Sequence, residues 1–170
     1  MNDPERPRLS QLLESVPQRG RLTWIGLAPK RRGNVKVVSE AHAGIGTGLL
    51  GDHHASTGQG RRQVSLIQAE HLPVLAELLG RSAVDPSLLR RNLVVSGINL
   101  YALRKSRLRI GEVLLEGTGV CAPCSRMEKS LGPGGFHAMR GHGGITAAVI
   151  EPGLLRVGQV VEFAGPAERE

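Results

Sequence analysis

Leu108-Arg-Ile-Gly-Glu-Val-Leu-Leu-Glu116 is matched in type at nearly every position by Leu155-Arg-Val-Gly-Gln-Val-Val-Glu-Phe163. In each, a residue pair and a Gly precede an alternating apolar run, the pattern of a strand with one buried face. The shared Gly predicts a bend or bulge where a strand enters a curved sheet. With the strand signals around them, the two segments predict a mostly β fold, a closed or nearly closed barrel holding both in one sheet. They are too short and too far apart for a solenoid repeat.

Working outward, Arg21–Leu27 reads as a strand, followed by a turn at Pro29–Gly33 and a second strand at Val35–Ser39. Residues 43–60 hold six glycines with little periodicity and predict a long loop. Gln63–Ile67 alternates like a strand. Leu72, Leu75, Leu78 and Leu79 then line one side of a predicted helix from about Glu70 to Leu79, with Gly80 as terminator. Asp85-Pro86 starts a short helix with a capping carboxylate and a Pro at its first position, before a strand at Leu93–Val95. Residues 1–20 predict an N-terminal extension with a brief amphipathic helix on Leu9, Leu12, Leu13 and Val16. A single domain over 21–165 and a tail at 166–170 complete the expected organisation.

The length of 170 residues suits one core, and the net charge of +7 favours an anionic partner. An aromatic content of 2% is too low for a platform that stacks nucleobases. Met1–Arg8 lacks the apolar run of a secretory signal, and no stretch reaches the roughly 18 apolar residues of a membrane span. Two cysteines make no disulfide framework, so a cytoplasmic protein with reduced thiols is expected.

Chemistry concentrates in Gly119–Met127. Pro123 stops regular structure and Ser125–Leu131 has helical composition, so Cys124 is expected at a helix start, where unpaired N–H groups favour a thiolate. Arg126 and Lys129 add positive charge. Competing readings of Cys121 and Cys124 are inert core thiols, half of a zinc site, or a dithiol redox pair, which lacks its usual βαβ context here. Arg90-Arg91-Asn92 is a candidate anion clamp, or simply a charged helix end. The pair His53-His54 reads as a weak metal candidate, because neighbours in a strand face opposite ways.

Taken together, Gly51-Asp52-His53-His54, Arg61–Glu70, Arg90–Gly97, Gly119–Met127, Arg140-Gly-His-Gly143 and Val157–Val160 resemble the MOSC domain, named for the C-terminal domain of molybdenum cofactor sulfurases. The chain looks like a small stand-alone bacterial form. That resemblance implies a MOSC-type β-barrel with a few short helices and one essential cysteine, Cys124. It further implies one of two roles. In the first, Cys124 is the thiolate ligand of molybdenum in a bound anionic pterin (molybdopterin), serving a reductase of N-hydroxylated compounds with a separate redox partner. In the second, Cys124 carries persulfide sulfur from a pyridoxal-phosphate-dependent cysteine desulfurase. Arg91, Asn92, Arg140 and His142, with Arg61 and His54, are the expected cofactor-binding residues, and glycines at Gly141–Gly144 are expected to let backbone approach the ligand. One departure is His53, where the family usually carries Arg; if that Arg contacts the cofactor, binding here would be weaker or pH-sensitive. A nucleic-acid-binding barrel is the remote third reading.

Overall fold

The computed structural model describes residues 6–53 and 60–168. Among these residues, eleven strands and five helices run in the order α1 (Leu9–Glu14), β1 (Arg19–Leu27), β2 (Lys36–Val38), β3 (Glu40–Gly44), β4 (Gly48–Leu49), β5 (Val64–Gln68), α2 (His71–Leu78), α3 (Pro86–Leu89) and β6 (Leu93–Ser96). They continue through β7 (Ser106–Ile110), β8 (Val113–Val120), α4 (Ser125–Leu131), α5 (Gly135–Met139), β9 (Ile145–Glu151), β10 (Gly153–Arg156) and β11 (Val160–Pro166).

Seven strands close a barrel in the order β11-β7-β8-β9-β5-β6-β1, and β1 seals it by pairing back onto β11 at Gly20↔Val161. The nine residues of β1 pair with β6 through Arg21–Ile25, and also serve two further partners: Arg19–Arg21 close the barrel on β11, while Ile25–Leu27 carry β2. All barrel pairings are antiparallel except β5 with β6, where Leu66 faces Leu93 in a parallel register. A parallel pair needs a crossover connection, and α2 and α3 supply it.

This crossover explains why Leu66–Ile67 and Leu93–Val95 are apolar at consecutive positions. Leu66, Leu93 and Val95 point into the barrel with Leu22, Leu108, Leu115, Ile145 and Val161. Ile67 and Val94 point outward, into a second core built with Leu75, Leu89, Met127, Leu131 and Met139 of the helices. Strands covered on both faces need apolar side chains at every position. The second core therefore fixes α4, and the cysteine segment before it, against the outside of the barrel.

The repeated segments fold differently from the expected single strands. Each is a strand–turn–strand unit: Gly111 and Gly158 sit in the turns at φ +58° and +96°, a region that glycine enters without steric cost. Leu108–Ile110 and Val113–Glu116 thus lie in β7 and β8, paired to each other, whereas Leu155–Arg156 belongs to β10 and Val160–Phe163 to β11. The expectation of a shared sheet holds for β7, β8 and β11; β10 instead joins the small sheet β10-β3-β4. That small sheet also corrects the long glycine-rich loop, since Glu40–Gly44 and Gly48–Leu49 form a hairpin. Its strands are too short and too rich in Ala and Gly to show a period in sequence.

The expected N-terminal helix forms, yet its Leu9, Leu12 and Leu13 are exposed, and only the following Val16 packs on the barrel core. No helix among the described residues is long and apolar enough to cross a membrane. Because Leu93 is fully buried inside the parallel pair, Leu93→Ala is expected to lower unfolding free energy by about 2–5 kcal/mol, as measured by chemical denaturation.

Candidate functional site

Against the outside of the barrel lies a groove of about 370 Å³ whose walls include Cys121, Cys124, Arg31, Arg62, Arg90, Arg91, Arg126, His53, Asn92 and Thr146. Its size lies in the range of small-molecule sites. Four unrelated chain segments deliver the arginines: the β1–β2 turn, the approach to β5, the end of α3 and the first turn of α4. Among the described residues no Asp or Glu lines it.

Cys124 is the N-cap of α4, as expected; its carbonyl accepts the Met127 N–H at 2.8 Å, and its side chain makes no capping hydrogen bond. Cys124 is exposed and Cys121 half-buried, and both are free thiols, so neither is an inert core residue. Among the described residues no group of three or more His, Cys, Asp and Glu converges on a metal position, which speaks against the half-zinc reading there.

Arg90 ends α3 in the left-handed conformation, φ +55°, which an arginine adopts at a cost of about 1–3 kcal/mol. Asp85 caps the same four-residue helix by accepting the Ser87 N–H at 2.8 Å, so the expected start signal is real and leads straight to this strained residue. Arg90 donates to the Gly33 carbonyl at 2.5 Å. Partial burial, and then the like charge of Arg126, push its guanidinium below the usual value, while Asp52 and Cys124 act in the opposite direction. It stays charged, and these influences mark Arg90, Arg126 and Cys124 as electrostatic neighbours.

Arg91 and Asn92 also line the groove, but chiefly as its frame. Buried Arg91 donates through Nε to Gly143, through Nη1 to Leu89 and through Nη2 to the Cys121 carbonyl, at 2.7, 2.9 and 3.4 Å. It thereby clasps the cysteine segment to α3 and to the approach to β9. Asn92 accepts from the N–H and the hydroxyl of Ser65, both at 3.0 Å, and donates to Gly26 at 3.3 Å and Asp52 at 3.1 Å. Those four bonds use the whole capacity of an amide side chain. Asn92 is therefore a brace between β5, β1 and Asp52. The buried Asp52 in turn accepts the Ala28 N–H at 2.8 Å and lies 3.5 Å from Nδ1 of His53. That same ring nitrogen is 3.0 Å from the Ala28 carbonyl, to which it donates when protonated.

The remaining expected residues lie elsewhere. Arg140 is exposed beyond α5, and His142 is bonded to the Ala138 carbonyl at 2.9 Å with its ring edge against His71; neither lines the groove. Burial first, and then His142, hold the His71 ring below its ordinary pKa. Arg61 pairs with the buried Glu116 beside a larger cavity that shares Arg62 with the groove. His54 lies outside the described residues. Gly143 and Gly144 also serve a purpose other than ligand approach. A Cβ on Gly143 would stand 2.3 Å from the Cys121 carbonyl oxygen, and one on Gly144 would stand 1.9 Å from that of Leu66. They let neighbouring strands close up beneath the groove. Arg31 and Arg62 carried no signal in sequence beyond their charge, because nothing local says that a turn and a strand start 31 residues apart share a wall.

Residues 50–162 match the model of the MOSC domain. The chain belongs to the MOSC domain family. That stretch contains every groove residue named above except Arg31. Among solved structures, the YuaD protein from Bacillus subtilis superposes with a TM-score of 0.75 at 21% identity, covering 86% of this chain and 96% of that one. YiiM from Geobacillus stearothermophilus follows at 0.68 and 14% identity, covering 85% and 75%. YiiM from Escherichia coli gives 0.66 and 21% identity, covering 88% and 72%. At these identities the likeness is one of fold. No curated protein matches the chain.

Two outcomes follow for this MOSC domain. Iodoacetamide near neutral pH is expected to modify exposed Cys124 before Cys121, read by peptide mass spectrometry. Burial would raise the Glu116 carboxyl, but the backbone N–H of Glu168, then Arg107 and Arg61, outweigh it and hold the carboxyl below its ordinary range. A depressed folded-state pKa gives stability that is full above the unfolded value and lost as pH falls through the folded one. Glu116→Gln is therefore expected to lower the melting temperature near neutrality and to flatten its decline on acidification, in pH-dependent thermal melts.

Proposed function

We propose that the groove binds a molybdenum–pterin cofactor, with Cys124 as the protein thiolate on the metal. The observation that carries this reading is the donor set: an exposed soft thiol beside Arg31, Arg62 and Arg126, whose side chains make no hydrogen bond or ion pair among the described residues. Uncompensated guanidinium groups suit a phosphate-bearing ligand, and a thiolate suits a metal that prefers sulfur. The residues present thus fit the group with which this family is associated.

Bound there, the cofactor would supply two-electron redox chemistry of the kind that reduces N-hydroxylated compounds. The chain's own part is binding and orientation. Cys124 presents its sulfur from the cap of α4, and α4 is held rigid by Met127 and Leu131 in the outer core. Arg91 holds the Cys121 carbonyl and so fixes the entry to that cap. Arg31, Arg62 and Arg126 receive anionic groups, while Asn92 and Asp52 keep β1 and β5 in place behind them. His53 stands on the groove wall where relatives are expected to carry Arg, tied to Ala28. Free thiols on the groove fit a reducing, cytoplasmic setting and a separate redox partner.

The exposure of Cys124 favours a second reading, since a persulfide-carrying thiol must be reached by its donor: a sulfur carrier loaded by a pyridoxal-phosphate-dependent desulfurase. Retention separates the two. Protein purified from a molybdate-fed host is expected to carry molybdenum and pterin fluorescence. Cys124→Ser should lose the metal nearly completely, and Cys121→Ser should lose far less. Metal-free wild-type protein from that host would set the cofactor reading aside in favour of the carrier.

A further inference from the structure

We infer that the Cys124 groove takes sulfane sulfur directly from a small dianionic oxyanion donor, the class to which thiosulfate belongs. This rests on the sulfur-carrier reading of the site and names a donor that is not a protein. Three observations converge on it. Arg31, Arg62 and Arg126 bring three positive charges to one groove, and none is paired through its side chain with another described residue. No carboxylate among the described residues lines that groove, and the thiol beside them is exposed. At about 370 Å³ the groove holds a compact ion and leaves room for a second small nucleophile.

Charge favours the class. A thiolate and a dianion bring three negative charges together, a repulsion that grows steeply wherever water is excluded, and the guanidinium groups on the groove walls offset it, with Arg31, Arg62 and Arg126 offering donors that Arg90 and Arg91 spend on backbone carbonyls. A zwitterionic amino-acid donor would leave most of that positive charge unmatched. Inorganic phosphate would satisfy the arginines but offers the sulfur no atom to attack. A donor with an oxyanion at one end and a thiophilic sulfur at the other uses both features.

The step balances without an outside oxidant. The Cys124 thiolate attacks the outer sulfur of thiosulfate, a new S–S bond forms, and the old one breaks with its electron pair leaving on sulfite. The product is a Cys124 persulfide anion, with total charge unchanged at minus three. A nucleophile such as cyanide then takes the outer sulfur as thiocyanate and returns the thiolate.

The test incubates the full chain with thiosulfate, locates any added sulfur by tandem mass spectrometry, and follows thiocyanate production with cyanide. Wild type is expected to gain one sulfur atom on Cys124 and turn over, and Cys124→Ser to do neither. Arg126→Ala should raise the KM for thiosulfate roughly tenfold, the size of one lost charge-assisted hydrogen bond. Its alkylation by neutral iodoacetamide, which reports the thiolate lost with the positive charge, should fall by far less. Arg19→Ala removes the same charge from an exposed pair with Glu162 at the other end of β1 and should leave the KM unchanged. Loading of Cys124 by a cysteine desulfurase and cysteine, but not by thiosulfate, would overturn the inference and leave the carrier reading intact. Loading by neither would end both. An Arg126→Ala effect no larger than that of Arg19→Ala would also overturn the assignment of the anion site.

Discussion

Asn92 is the point at which barrel and groove depend on one another. Its amide is buried, and all four of its hydrogen-bonding positions are filled by Ser65, Gly26 and Asp52. A buried amide left partly unsatisfied would cost about 1–3 kcal/mol per missing partner. The arrangement is therefore close to all-or-none: β1, β5 and the Asp52 segment are in register together or not at all. The groove opens beside this brace.

Arg91 extends the same logic by one residue. Carbonyl groups of Leu89, Cys121 and Gly143 all fall to one buried guanidinium, which joins α3, the end of β8 and the approach to β9. Gly143 makes this possible by lacking a Cβ, since any side chain there would meet the Cys121 carbonyl. Adjacent residues of one Arg-Arg-Asn run thus divide the work. Arg90, left-handed and only partly buried, faces Cys124 and Arg126; Arg91 and Asn92 build the wall behind it.

Charge is distributed unevenly between the groove and the cavity beside Arg61. Around Arg61 the positive charge is balanced by the buried Glu116, which also holds Arg107 and the backbone of Glu168. Around Cys124 the groove walls carry arginine and, among the described residues, no acid. The balanced cluster ties the chain terminus to β7 and β8. The unbalanced one lowers its energy only when an anion enters, which is the physical basis for the functional reading.

The sequence by itself determined the elements whose signals are local. Alternation in Leu108–Glu116 and Leu155–Phe163 announced β structure, Asp85-Pro86 announced a capped helix, and Pro123 before a helical run placed Cys124 at a helix start. The order of motifs was enough for the family and hence the barrel. Tertiary structure alone decided the rest. The turns at Gly111 and Gly158 split each expected strand in two, because a glycine in a strand pattern reads alike as a bulge or a turn until its partner strand is known. Arg140 and His142 are not among the residues that line the groove, while Arg31 and Arg62 are. Whether a charged side chain faces a ligand, a carboxylate or a backbone carbonyl depends on strands brought together from far along the chain. Closure of the barrel supplies those neighbours, and residue spacing carries no record of them.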